Sequence, residues 1–265
     1  MPVIDAHSHI YPDKIACKAS SAVGDFYGVD MNAKNASAAS MLAACEGSPI
    51  THHLVHSVAT TPGQVPIIND FIAEQCRAHD NFVGFATMHQ DFEDVEGEID
   101  RAIGLGLKGV KIHPDTQKVN MDDPRLMHLY EVIEGRLPIV IHTGDYRYDY
   151  SHPRRLMNVL KTFPDLVVDA AHFGCWSRYE VGYDILHNAD NLFVDASSSQ
   201  FFLGQRRTVE LARMWGTDRI MFGSDYPMWS PAAEYDQFVT AGFSEDELEN
   251  MLWHNAERFA GVKVG

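Results

Sequence analysis

The sequence predicts a single (β/α)8 TIM barrel over residues 1–265, with its active site at the C-terminal ends of the strands. Three observations predict it. Short β-rich runs recur eight times, and helix-like stretches separate them. Strands that alternate with helices pair in parallel through crossovers, and eight such units close on themselves. The polar residues of these runs also gather at their C-terminal ends, where a barrel opens. A doubly wound open sheet is the competing architecture. It is disfavoured because no Gly-rich phosphate turn follows the first run.

In order, the runs are VIDAHSH (3–9), HLVHSVA (53–59), FVGFATM (82–88), GVKIH (109–113), PIVIHTG (138–144), LVVDAAHFG (166–174), LFVDAS (192–197) and RIMFGSD (219–225). The first run places His7 and His9 two residues apart, on one face of a strand, with Asp5 on the same face one layer deeper. An irregular stretch from Ile10 to Ser37 follows, long enough to lie over the barrel mouth as a lid. Before the fourth run, Ile99, Ile103 and Leu107 have helical spacing, and Gly104 and Gly106 end the helix. Asp123 followed by Pro124 reads as an N-cap with proline at the first helical position. Ser177 with Glu180 and Ser244 with Glu247 have the spacing of capping boxes.

Composition narrows the function classes. The net charge of −16 argues against a nucleic-acid backbone as partner, which needs a basic patch, and disfavours an anionic membrane. Hydrophobic residues at 45% and charged residues at 22% suit a substantial soluble core. Cys17, Cys45, Cys76 and Cys175 are scattered, so reduced thiols and a cytoplasmic setting are expected. No stretch reads as a signal peptide or a membrane span. The expected partner is therefore a small-molecule substrate.

The strand ends carry the chemistry. His7 and His9 end the first run, Lys111 and His113 the fourth, His142 the fifth, His172 the sixth and Asp225 the eighth. Each closes an apolar run, and the breakers Pro114, Gly144, Gly174 and Pro227 follow. One such histidine is ordinarily a hydrogen-bonded structural residue. Imidazoles and a carboxylate gathered on one rim are the donors that zinc and similar ions take. His7, His9, His142 and Asp225 are the expected ligands of a divalent metal, Zn2+ by donor type. His172 is expected beside the reactive water, with Asp225 as the proton acceptor.

Lys111 has two readings. It is either a cation that pairs with an acid or a substrate carboxylate, or a carboxylated lysine bridging two ions, with His142 and His172 on the second. His113 shares its strand parity and is placed with it in the substrate site. In TGDYRYDY (143–150), Tyr146 and Arg147 could grip an anionic or aromatic substrate, because arginine pairs bidentately with carboxylates. Phe173, Trp176 and Trp229 are placed to wall the pocket.

DAHSH, GVKIHP, VIHTG, AHFG and FGSDYP, in that order, resemble the amidohydrolase superfamily. They are most similar to its amidohydrolase-related branch, which includes aminocarboxymuconate-semialdehyde decarboxylase and resorcylate-type decarboxylases. The resemblance runs from residue 3 to the C-terminal helices. It implies a barrel with one or two divalent ions, often zinc, and it is compatible with a homodimer. In mononuclear members the ligands match His7, His9, His142 and Asp225, with His172 by the reactive water. In binuclear members the carboxylated lysine matches Lys111.

Two reactions follow from that site. Hydrolysis would direct metal-activated water at an amide, ester or lactone carbonyl of a small, anionic substrate. Non-oxidative decarboxylation of a small hydroxycarboxylic acid would use the same ligands, with Asp225 protonating carbon. A hydratase is more remote. A histidinol-phosphatase-like phosphoesterase is disfavoured because Tyr226 and Pro227, not a histidine, follow Asp225. A metal-stabilised scaffold without activity is disfavoured by the intact ligand set.

Overall fold

The computed structural model describes residues 1–264. In chain order the elements are β1 (Ile4–His9), α1 (Asp13–Tyr27), α2 (Ala38–Ala44), β2 (His52–His56), α3 (Val65–Ala78), β3 (Phe82–Gly84), β4 (Ala86–Thr87), α4 (Val95–Gly104), β5 (Val110–Ile112), α5 (Pro114–Gln117), α6 (Pro124–Ile133), β6 (Ile139–Ile141), α7 (Pro153–Thr162), β7 (Val168–Ala170), α8 (Tyr179–Leu186), β8 (Leu192–Asp195), α9 (Gln200–Trp215), β9 (Ile220–Met221), α10 (Pro231–Val239), α11 (Glu245–Glu249) and α12 (Asn255–Ala260).

All strand pairs are parallel, in the orders β1-β2-β3 and β4-β5-β6-β7-β8-β9. The third run expected from sequence is interrupted at Phe85, which hands the pairing across. Phe85 N–H donates to Val55 O at 3.0 Å, and Ala86 N–H donates to Gly109 O at 2.8 Å. The ends of the barrel meet through Ala6 N–H to Phe222 O (2.9 Å), Asp225 N–H to His7 O (2.9 Å) and His9 N–H to Tyr226 O (2.8 Å). The fold is the (β/α)8 barrel the sequence predicts.

Strand alternation separates two cores. Val110, Ile112, Ile139, Ile141, Val168 and Ala170 point outward, where they pack under Leu126, Leu129 and Ile133 of α6 and Leu156 and Val159 of α7. The inward set Ile4, Ala6, Leu54, Phe85, Val140, Ala171 and Met221 fills the lumen, and Phe259 of α12 joins it. Packing of this kind leaves room for chemistry only above the filled layers, at the strand C-termini.

A β-bulge sets the first strand. Asp5 pairs with His53 and Ser8 with Val55, so Ala6 and His7 together oppose Leu54. The extra residue reverses the alternation. Ile4 and Ala6 face the lumen below the bulge, and His9 faces it above, in register with His56. Asp5 therefore lies on the opposite face from His9, not in the layer beneath it. Its carboxylate accepts from His7 N–H (3.2 Å), Ser8 Oγ (2.9 Å), Ser224 N–H (2.9 Å) and Ser224 Oγ (2.5 Å), which ties β1 to the chain after β9.

Three other expectations need amendment. The stretch from Ile10 to Ser37 is not irregular, because α1 occupies most of it; Gly28 closes that helix at φ 69°, a conformation glycine adopts freely. Ser177 and Glu180 form no capping box; Ser177 itself has φ 65°, and α8 begins after Arg178 without a side-chain cap. Phe173 packs in the outer core, and Trp229 stacks on Phe201 (4.9 Å between centroids), so neither lines the central cavity. Trp176 stands edge-on to Tyr27 at 5.0 Å, outside the cavity lining as well. By contrast, Asp123 caps α6 by accepting from Arg125 N–H, and Ser244 and Glu247 form a full capping box. All four cysteines are free. No helix among the described residues is long and apolar enough to cross a membrane.

Candidate metal centre

A cavity of about 670 Å³ opens at the C-terminal ends of the strands. His7, His9, Lys111, His113, His142, His172 and Asp225 all line it, so the structure brings together every strand-end residue singled out from sequence. The two loop residues go elsewhere. Tyr146 is 69% exposed and outside the lining. The Arg147 guanidinium is taken up by Asp145 (Nη2 to Oδ2, 2.6 Å) and by the Phe26 carbonyl (2.6 Å), so it fastens α1 to the barrel instead of facing the cavity.

Two donor groups face each other. On one side, His7 Nε2 and His9 Nε2 stand 3.7 and 3.6 Å from Asp225 Oδ1. On the other, His172 Nε2 lies 3.1 Å from His142 Nδ1. Lys111, fully buried, reaches between them with Nζ 3.2 Å from His7 Nε2. His142 thus faces His172 across its Nδ1, and its ring stacks on His113 with centroids 3.9 Å apart.

Hydrogen-bond directions settle the free lone pairs. His7 Nδ1 donates to Asp195 Oδ2 at 2.7 Å, because a carboxylate only accepts; Nε2 then offers its lone pair to the lumen. Ser197 Oγ gives its proton to Asp195 Oδ1, so it accepts from His172 Nδ1 (2.9 Å) and leaves His172 Nε2 without a proton, as the acceptor facing His142 Nδ1. Trp229 Nε1 can only donate, to Ser198 Oγ (2.8 Å), which orients the Ser198 hydroxyl onto Asp225 Oδ2 (2.5 Å). His113 differs. Its Nδ1 accepts from Thr116 N–H, so Nε2–H donates to Tyr27 Oη at 2.6 Å and offers no lone pair.

The backbone at these positions is held in the left-handed region. His172, Ser198 and Asp225 have φ of 62°, 51° and 57°. Such conformations in residues other than glycine are unfavourable and concentrate at functional sites.

Burial dominates the electrostatics. It lowers the pKa of His9 and His142 well below the ordinary histidine value and brings His172 to about 4, so these rings are neutral near pH 7. Burial also pulls Lys111 down to about 8, against the opposing charges of Asp195, Asp225 and Asp169. Asp115, raised by burial to about 7, stands 3.5 Å from His142 Nε2 through its Oδ2.

The donor set fits a divalent ion. Neutral imidazoles with free lone pairs and a carboxylate are what zinc-like ions take. The His7 and His9 ring centroids are 5.3 Å apart. Two imidazoles on one tetrahedral ion would stand roughly 5.2 Å apart, given a metal–nitrogen distance of about 2.0–2.1 Å. His142 Nε2, buried and without a hydrogen-bond partner, is a further polar atom that the protein alone leaves unsatisfied.

Asp195, Ser197, Ser198, Tyr27 and Asp115 were not singled out for chemistry from sequence. Asp195 closes the run LFVDAS just as His142 closes its own run, and that signal was available. Tyr27 had none, because it reaches the site from α1 across the mouth.

A parallel barrel with imidazole, carboxylate and amine donors at its open end defines the class of metal-dependent barrel enzymes. The amidohydrolase family model matches residues 4–262, and the chain belongs to that family. No curated protein matches the sequence significantly. Among solved structures, an uncharacterised TIM-barrel protein, Bb4693 from Bordetella bronchiseptica, superposes with a TM-score of 0.80 at 20% identity, covering 98% of this chain and 99% of that one. A dihydroxybenzoic acid decarboxylase from Polaromonas sp. JS666, with bound manganese and 2-nitroresorcinol, gives 0.75 at 17% identity over 98% and 97%. A Pseudomonas putida protein proposed to be a 2-pyrone-4,6-dicarboxylic acid hydrolase gives 0.71 at 18% identity over 99% and 98%. At these identities the likeness establishes the fold.

Proposed function

We propose that the chain is a metal-dependent hydrolase that cleaves an amide, ester or lactone bond in a small substrate with an apolar body. The observation that carries this reading is the pair of facing donor groups, His7, His9 and Asp225 against His142 and His172, with Lys111 between them. His7, His9 and Asp225 would hold one divalent ion, and Lys111, His142 and His172 could hold a second. Bound there, the metal supplies Lewis-acid chemistry, polarising a carbonyl and acidifying water.

The remaining work falls to side chains. Asp225 Oδ2 is occupied by Ser198, so Oδ1, the oxygen that faces His7 and His9, is the one that would both meet the ion and exchange a proton between water and the leaving group. The neutral Tyr27 hydroxyl accepts from His113 and has its own proton left to donate to a substrate oxygen. Ile15, Ala19, Ala22, Val23 and Phe26 of α1, with Ile67 and Ile68 of α3, exclude water and receive the apolar body. Lys18 and Lys118 at the cavity wall suit an anionic group on the substrate. Zinc is the ion proposed from the donor types.

Decarboxylation is the second reading. The apolar wall facing α1 favours it, because an aryl acid would fill that wall and present its carboxylate to the same donors. Decarboxylases recur among the structural neighbours, which supports this reading comparably. The deciding experiment loads the chelator-stripped protein with Zn2+ or Mn2+. It then screens aryl and alkyl esters, lactones and anilides for hydrolysis, and hydroxybenzoates for carbon dioxide release. Hydrolysis is expected, with Asp225→Asn retaining metal and losing about a hundredfold or more in rate. Carbon dioxide release without hydrolysis overturns the reading in favour of decarboxylation.

A further inference from the structure

One buried histidine at the mouth is used by nothing described so far. His56 ends β2, in register with His9. It shares strand parity with Leu54, whose side chain lies in the lumen cluster. It is fully buried, and neither ring nitrogen has a hydrogen-bond partner among the described residues. An imidazole in that condition has lost water on both nitrogens and gained nothing from the protein. A position that only filled space would be better served by an apolar side chain.

The surroundings say what the nitrogens could meet. The His56 ring stands edge-on to His7 and to His9, with centroids 4.7 and 4.4 Å away. One nitrogen from each of the three rings lies within 4.8 Å of the other two. Two imidazoles on a single ion bring their centroids to about 4.5–5.2 Å for nitrogen–metal–nitrogen angles between a right angle and the tetrahedral one, given a metal–nitrogen distance of about 2.0–2.1 Å.

We propose that His56 is a third histidine donor to the ion held by His7 and His9. The ion is then gripped by three rings from β1 and β2, with Asp225 across from them. His142 and His172 are correspondingly free for the opposite side of the cavity. The inference rests on metal dependence, as the proposed function does, but not on which reaction follows.

The test titrates Co2+ into the chelator-stripped full chain, for wild type, His56→Ala, His56→Phe and His56→Gln. Metal-free melting first identifies the variants that keep the fold, and the apolar His56→Phe is expected among them because the native ring makes no polar contact. The readouts are Co2+ affinity by chelator competition and the visible ligand-field band, which reports coordination number. Affinity is expected to fall tenfold or more, and the band to shift in energy and intensity. An unchanged band overturns the inference: with weaker binding it means that His56 acts through His9, and with unchanged binding that it only packs. Failure of the wild type to bind Co2+ overturns this inference and the metal-dependent function together.

Discussion

Asp195 fixes the tautomer of His7. The 2.7 Å contact between Oδ2 and Nδ1 puts the ring proton on Nδ1 and turns the Nε2 lone pair into the cavity. Through Ser197 the same carboxylate fixes His172, so one buried side chain orients a donor on each side of the site. Burial works to raise the Asp195 carboxyl, but His7, His172 and Ser197 hold it well below the usual carboxylate range. Neighbouring Asp169 is shifted the other way, raised by burial and by the charge of Asp195.

Removing the charge of Asp195 should therefore loosen the metal. Asp195→Asn is expected to bind Zn2+ or Co2+ about 10- to 100-fold more weakly, because the groups behind a ligating imidazole have effects of that size. Chelator competition measures it. An affinity equal to wild type would remove Asp195 from the metal-binding machinery and leave it a packing residue.

How much of this was visible in the sequence depends on what each feature requires. Strand-end donors such as His142 and Asp225 were legible because a polar residue that closes an apolar run has few structural uses. The side of β1 on which Asp5 lies was not legible. A bulge at Ala6 and His7 is decided by pairing with β2, and alternation along one strand cannot reveal it. α1 was hidden for a different reason. Its fully buried positions are the small residues Ala16, Ser20 and Gly24, and its larger apolar residues line the cavity, so no single large apolar stripe of the kind that marks a surface helix stands out. Arg147 has the composition of a substrate-gripping residue, and only the tertiary placement of Asp145 and Phe26 shows that its donors are already taken.

Arg147 is accordingly predicted to act on α1. Its guanidinium also lies over the rings of Phe26, Tyr27 and Tyr148 at 4.9, 5.5 and 5.2 Å, so it ties the helix C-terminus to the loop after β6. Arg147→Ala should speed amide hydrogen exchange in residues 13–27 while metal affinity stays within about twofold. Unchanged exchange would show that α1 is held by its apolar face alone.

Outside the site, His53 gives a pH prediction with a definite sign. It is buried on the outer face of β2 with Nδ1 unpartnered, and burial lowers it to about 4. Between its ordinary value of 6.5 and about 4, the unfolded chain binds a proton that the folded protein does not, so stability falls as pH drops through that window. At 1.36 kcal/mol per unit, the loss from this one group reaches about 3 kcal/mol. Urea unfolding at pH 7 and pH 4.5 tests it. His53→Leu should lose measurably less stability than wild type over that span, and an equal loss would mean that His53 titrates normally.

At the opposite end of the barrel, Phe259 closes the lumen, stacked on Phe85 at 5.8 Å and packed near Phe193 at 5.6 Å. Residues there contribute stability, and those at the mouth contribute chemistry. Phe259→Ala should cost roughly 3–5 kcal/mol in denaturant unfolding. Its Co2+ affinity at low temperature should remain that of wild type, and a fall in affinity without a fall in stability would contradict this division.

Lys111 distinguishes one ion from two. Its amine is fully buried between the facing donor groups, with Nζ 3.2 Å from His7 Nε2. A lysine that remained a cation there would repel any ion held by His7 and His9. A neutral amine can take up carbon dioxide, forming a carbamate and releasing one proton, which replaces the repelling charge with a bridging carboxylate. Metal content measured after expression without chelators and with bicarbonate is expected to be two ions per chain in wild type and one in Lys111→Ala. One ion in both would make Lys111 a cation that pairs with substrate or an acid, as the first of its two sequence readings holds, and would leave hydrolysis against decarboxylation to the substrate screen. Two ions in both would show that His142 and His172 hold the second without it.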